Sequence, residues 1–166
     1  MGYITEIAEL EARHIVPGDH QRSDYFALIS ELLRLQHREP QACGEAIERT
    51  YRLVHDELLH NSEHPCQPIS FGTSGWRGIL GKDVYVCSIQ WVSYAIVKLY
   101  EEMDQDPSRA AYLGVSSLQE ARERGCLIGH DNRFGGDLLA NAAAEVFSRH
   151  GFRVYHCGES TTGVMS

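Results

Sequence analysis

The sequence predicts an α/β fold, a sheet with helices on its faces, preceded by an α-helical N-terminal extension. Three observations carry this. From residue 69 onward, short apolar strand-like runs alternate with runs of helical spacing, the pattern of a sheet covered by helices. The first 60 residues show helical spacing only. Between them, Asn61 to Pro68, NSEHPCQP, has two prolines and several polar residues, the composition of a linker. The expected organisation is a helical extension and linker over 1–68 and an α/β domain over 69–166.

The elements follow in order. A short helix is expected over Thr5 to His14, ending before Pro17-Gly18. Tyr25, Leu28, Leu32 and Leu35, spaced three, four and three, line one face of a second helix. Ser23 or Asp24 can cap its start. Pro40 is expected to close it, because the residue before proline avoids the helical region. Ile47, Tyr51, Val54 and Leu58 mark a third helix. Together these make a helical hairpin with an apolar seam, either packed on the main domain or free to bind a partner.

Beyond the linker, Ile69 to Phe71 reads as a short strand, and Asp83 to Cys87 as a strand or a helix entry. Ile89, Val92, Ile96, Leu99 and Met103 mark the clearest helix, which Asp104 to Pro107 ends. Ser117 to Arg124 reads as a short helix, and Leu127-Ile128 as a strand core. A helix over Asp137 to His150 turns Leu139, Ala143, Val146 and Phe147 inward, with Asp137 as its cap and Gly151 as its left-handed terminator. Phe152 to His156 is a further strand, with Phe152, Val154 and His156 on one face.

Composition excludes several function classes. Hydrophobic residues are 43% and charged residues 23%, as in a soluble globular protein. A net charge of -8 argues against nucleic-acid binding, which needs clustered Lys and Arg. No stretch approaches the roughly 20 apolar residues of a membrane span. The start, MGYITEIAELEARH, shows no signal-peptide pattern. The five cysteines are odd in number and include no CxxC pair, so reduced thiols and a cytoplasmic location are expected. His55, His60, His64 and Cys66 lie close in sequence, but their spacing does not match a structural zinc site.

The chemistry concentrates in Phe71 to Gly78, FGTSGWRG. Its three glycines let backbone N–H groups approach a ligand. Thr73 and Ser74 add donors and acceptors on short stems. Arg77 can grip a phosphate with two parallel charge-assisted hydrogen bonds, or pair with a carboxylate to hold the loop. A Walker-type nucleotide site is excluded: five residues separate Gly75 from Gly81, and Lys82 is followed by Asp83 rather than a hydroxyl residue.

As a string, FGTSGWRG resembles the opening loop of the phosphohexomutases, the phosphoglucomutase and phosphomannomutase family. CLIGHDNRFGG, Cys126 to Gly136, is similar to that family's second strand and its Asp-x-Arg turn, here Asp131 and Arg133. GFRVYHCGESTT, Gly151 to Thr162, is similar to the third strand and the turn after it, although the family's Thr-Pro is replaced by Ser160-Thr161-Thr162. The resemblance runs from about Ile69 to Ser166. It implies the N-terminal part of a phosphohexomutase domain I, an incomplete three-layer α/β/α sandwich.

The resemblance also implies roles. Arg77 would contact the phosphate of the sugar or of the phosphoserine, and Thr73 and Ser74 would shape the phosphate-binding loop. Asp131 and Arg133 would brace a turn near the cleft. In the family a phosphoserine exchanges its phosphate with a hexose phosphate, interconverting the 1- and 6-phosphates of glucose or mannose. That serine lies in a Thr-Ala-Ser-His-Asn-Pro loop, which the 166 residues do not contain; Ser166 is not read as that serine. The family's metal-binding Asp-x-Asp-x-Asp run is also missing. The expectation is therefore a chain short of the catalytic loop and inactive by itself. No catalytic residue is expected in it, and no metal: Mg2+ belongs to the full-length family enzymes. The expected partner is a hexose phosphate, with self-association possible through the N-terminal helices or the open sheet edge.

Overall fold

The computed structural model describes residues 2–73, 75–103 and 106–160. The chain divides into two compact units, 1–85 and 86–166.

The first unit opens with three helices, α1 (Gly2–His14), α2 (Tyr25–Leu35) and α3 (Pro40–His60). Their seam is Ile7 and Leu10 from α1, Leu28 and Leu32 from α2, and Cys43 and Ala46 from α3. Asp24 caps α2, its Oδ1 accepting from the N–H of Ala27 at 3.0 Å. Ser23 instead turns back into the α1–α2 connection, accepting from Val16 N at 2.9 Å and donating to Asp19 O at 2.8 Å. Asp24→Ala is expected to lower stability by about 1 kcal/mol in denaturant titration, the usual worth of such a cap.

Pro40 departs from expectation. It opens α3 at the first helical turn rather than closing α2, which ends five residues earlier. Proline's fixed φ and missing N–H suit that position, where no intrahelical donor is needed.

After the linker, β1 (Phe71–Gly72) and β2 (Gly75–Trp76) form a tight antiparallel hairpin, with Phe71 opposite Trp76 and Gly72 opposite Gly75. The strand expected at Ile69 to Phe71 thus begins at Phe71 and pairs within the glycine loop itself. A turn follows in which the carbonyl of Ile79 accepts from the N–H groups of Lys82, Asp83 and Val84. Tyr85, fully buried, donates its hydroxyl to the carbonyl of Glu63. Packing therefore groups residues 69–85 with the helices that precede them.

The second unit contains α4 (Val86–Glu101), α5 (Pro107–Leu113), α6 (Leu118–Arg124), β3 (Cys126–His130), α7 (Gly136–Arg149) and β4 (Val154–Glu159). Asp83 to Cys87 is the entry to α4 rather than a strand. β3 and β4 pair in parallel, joined by α7 as a βαβ crossover. The register slips after Ile128, so that Cys157 is an extra residue between His156 and Gly158. Gly125, at φ 74°, precedes β3; a Cβ there would stand 2.2 Å from the carbonyl of Arg153, which accepts from Cys126 N. Only glycine fits.

The core of this unit gathers Val97, Ala121, Phe147 and Phe152. Phe152 meets Phe147 and Tyr100 edge-on, with ring centroids 5.7 and 5.8 Å apart. The buried line of α4 runs through Ser93 and Val97, flanked by Ile96 and Tyr100, while Leu99 is exposed. The expected face was displaced because a buried serine is invisible to apolar spacing. α5 was not expected at all, although Asp106 caps it by accepting from Ser108 N at 3.1 Å. The sequence reading took that Asp-Pro pair only as the end of the preceding helix. Ser117 caps α6, accepting from Glu120 N at 3.1 Å.

Asp137 does not cap α7. Gly135 holds the N-cap position at φ 75° with no side-chain cap, and Asp137 lies inside the first turn. Gly151 ends the helix at φ 82°, as expected of a left-handed residue after a helix.

Candidate functional site

Arg77 leaves the hairpin just after Trp76. It is exposed, and it makes no hydrogen bond or ion pair with the described residues. Thr73, at the hairpin tip, is also exposed and without such a partner among them. Ser74 lies outside the described residues. Gly75 adopts φ 95°, a conformation that favours glycine. Trp76 is half-buried opposite the exposed Phe71. The loop therefore presents a guanidinium and a hydroxyl outward on a short hairpin.

What holds the loop is Asp83, a residue for which the sequence reading had no role. It is 1% exposed. Its Oδ2 accepts from Ile79 N at 2.8 Å and its Oδ1 from Gln67 N at 2.9 Å. One carboxylate thus ties the residue just after the loop to Gln67 in the linker, four residues before β1. Gly78 completes the fit: a Cβ there would lie 2.5 Å from the Cβ of Asp83. The carboxylate braces the loop through backbone N–H groups, and the guanidinium of Arg77 pairs with no carboxylate among the described residues.

In the second unit, Asp131 and Arg133 sit on the turn at the carboxyl end of β3, where parallel sheets commonly bind ligands. The Nε–H of Arg133 donates to both carboxylate oxygens of Asp131, at 3.0 and 2.8 Å, and its backbone N–H donates to Oδ1 at 3.2 Å. Both side chains face solvent, so the pair shapes the turn and adds little stability. Gly136 allows the turn to close, since a Cβ would stand 3.0 Å from the carbonyl of Asp131.

These hydrogen bonds from Arg133 hold the Asp131 carboxyl below the usual aspartate range and raise the guanidinium in return. A depressed carboxyl pKa means that the pair is complete above the unfolded value and is lost as pH falls through the folded one. An NMR titration is expected to place the Asp131 midpoint below 3.8, its ordinary value. Arg133→Ala should move it back up.

The neighbouring histidines are occupied. His130 Nδ1 lies 2.9 Å from the carbonyl of Asp131, which can only accept, so that nitrogen carries the proton. His156 Nδ1 accepts from Gly158 N at 3.3 Å. Burial raises the thiol pKa values of Cys43 and Cys126, and all five cysteines are free thiols.

Two other features bear on ligand chemistry. A cavity of about 460 Å³ in the first unit is lined by Asp19, Asp56, Glu57 and Glu63, with no Lys or Arg, and so disfavours a phosphate. The two histidines that also line it are held by these carboxylates, His60 by Asp56 at 2.9 Å and His20 by Glu57. Among the described residues, no group of three or more His, Cys, Asp or Glu side chains could hold a metal ion. No helix among the described residues is long and apolar enough to cross a membrane.

Comparison with curated proteins and with solved structures yields no match. Comparison with protein families does. Residues 68–166, more than half of the chain, match the family described as phosphoglucomutase/phosphomannomutase, alpha/beta/alpha domain I. The match takes in both the glycine hairpin with Arg77 and the Asp131–Arg133 turn, and the observed α/β unit with N-terminal helices agrees with it. The chain belongs to the phosphoglucomutase/phosphomannomutase family, of which it carries domain I.

Proposed function

We propose that the glycine hairpin binds the phosphate of a hexose phosphate, with Arg77 as its electrostatic clamp. The activity served is the phosphohexomutase reaction, interconversion of hexose 1- and 6-phosphates through a phosphoserine. The observation that carries this reading is the uncommitted Arg77 on a loop already braced by Asp83. A guanidinium fork matches two phosphate oxygens, and a preset loop spends little free energy on ordering when the ligand arrives. Thr73 and backbone N–H groups of the hairpin complete the polar surface.

Phosphoryl transfer is catalysed mainly by positioning and by charge stabilisation. Arg77 supplies both for one phosphate. The 166 residues contain neither the serine loop nor the Asp-x-Asp-x-Asp run, so in this reading they bind substrate without turning it over. Asp131 and Arg133 shape the turn at the carboxyl end of β3.

Calorimetric titration with glucose 6-phosphate and mannose 6-phosphate, run beside a coupled mutase assay, tests the proposal. Saturable binding without turnover is expected. Absence of binding to either sugar phosphate removes the proposal. Turnover by the purified 166-residue chain overturns its inactivity.

A further inference from the structure

The family match begins at residue 68, yet the glycine hairpin is anchored to residues ahead of it. Asn61, at the end of α3, makes three bonds in three directions. Its backbone N–H closes the helix on the carbonyl of Glu57 at 3.0 Å. Its Oδ1 accepts from Glu63 N at 2.9 Å, which turns the chain into the linker. Its Nδ2 donates across to the carbonyl of Gly81 at 2.7 Å. That third bond joins the helical extension to the turn that carries Asp83.

Gly81 is fitted to this anchor. It has φ +83°, and a Cβ on it would lie 3.1 Å from the Cβ of Glu57 on α3. Two residues on, Asp83 grips Ile79 N and Gln67 N, and Cys66 N donates to the carbonyl of Lys82 at 3.3 Å. The path from α3 to the hairpin is thus short: hydrogen bonds join Asn61 to Gly81 and Asp83 to Ile79, and the chain itself makes the two steps from Gly81 to Asp83 and from Ile79 through Gly78 to Arg77.

We infer that Asn61 is a positioning residue for the phosphate loop, supplied by the helical extension and acting through Gly81 and Asp83 without touching the ligand. This rests on the reading that the hairpin binds a hexose phosphate. It gives the extension a definite task, that of setting the height and direction at which Arg77 leaves the hairpin.

The discriminating variant is Asn61→Asp. Aspartate still accepts from Glu63 N, but it cannot donate to Gly81. The added charge also meets the carbonyl end of α3 and the acidic cavity, an effect that salt screens, so loosening that persists at high salt reports the lost donation. Gly81→Ala keeps the accepting carbonyl but strains the turn and crowds Glu57, so it perturbs the same junction by a different route, and circular dichroism on both variants separates loosening from a failure to fold. Two readouts are taken on the full 166-residue chain: hydrogen exchange at the amides of Ile79 and Lys82 to Val84, and calorimetric binding of glucose 6-phosphate. In Asn61→Asp, exchange at these amides is expected to speed up by about tenfold. Binding should weaken by about three- to tenfold, the effect of one lost hydrogen bond. Exchange within α2 should not change.

Unchanged exchange and unchanged affinity overturn the inference, and so does faster exchange with unchanged affinity. If the wild-type chain binds no hexose phosphate while the variant still loosens these amides, the anchoring stands and the ligand assignment falls.

Discussion

Arg77→Ala is expected to weaken glucose 6-phosphate binding by at least tenfold while leaving the fold intact. The side chain is exposed and has no partner among the described residues, so its removal leaves no buried group unsatisfied. The hairpin keeps its braces, since Asp83 holds the backbone rather than the guanidinium. The loss is then confined to the ligand. Hydrogen bonds to a charged group are worth about 1.5–3 kcal/mol, which corresponds to roughly ten- to hundredfold in affinity. Arg77→Lys should recover part of this, because an ammonium keeps the charge and loses the planar fork. The remaining affinity should fall as salt is added, as expected for an exposed charge pair. Calorimetry on the three proteins, with circular dichroism to confirm folding, reads all of these. Equal affinity in wild type and Arg77→Ala would remove Arg77 from the site.

The largest stability effect is expected at Asp83. Asp83→Ala leaves the N–H groups of Gln67 and Ile79 without their acceptor in a partly buried setting. Two such losses should cost about 2–4 kcal/mol. The carboxylate is almost wholly buried, so water cannot easily replace it. Asp83→Asn offers one accepting oxygen instead of two and should fall between wild type and the alanine variant. Gly78→Ala should act in the same direction, because its methyl group would displace Asp83. Urea unfolding followed by a probe in residues 1–85 measures this. A change under about 0.5 kcal/mol, the ordinary range for a surface substitution, would show that Asp83 does not hold the loop.

The helices were largely legible because their signals are local. The apolar spacing of Tyr25 to Leu35, the cap at Asp24 and the terminator Gly151 each act within a few residues. Pro40 was misplaced because proline both discourages a helix before it and suits the first turn of one after it. Spacing does not say which side prevails. α5 was missed because its Asp-Pro start also reads as an ending. The inward face of α4 was displaced by Ser93, a buried hydroxyl in an apolar line.

The candidate site divides along the same boundary. Arg77 and the Asp131–Arg133 turn were legible because they lie in contiguous strings. Asp83 was not, because its partners are backbone N–H groups, one of them sixteen residues away, and neither leaves a mark in side-chain identity. Asn61 was hidden inside a segment whose prolines mark it as a linker. The one available signal was the pair Gly78 and Gly81 within five residues ahead of Asp83, the pattern of a backbone closed tightly on a carboxylate.

The central claim is that the glycine hairpin is where this chain meets a phosphorylated sugar. An amide-resolved NMR titration of the wild-type chain with glucose 6-phosphate tests it most directly. Saturable shifts centred on residues 71–79, with no comparable change in α1 or α2, are the predicted result. Shifts centred elsewhere, or none up to millimolar ligand, would contradict it.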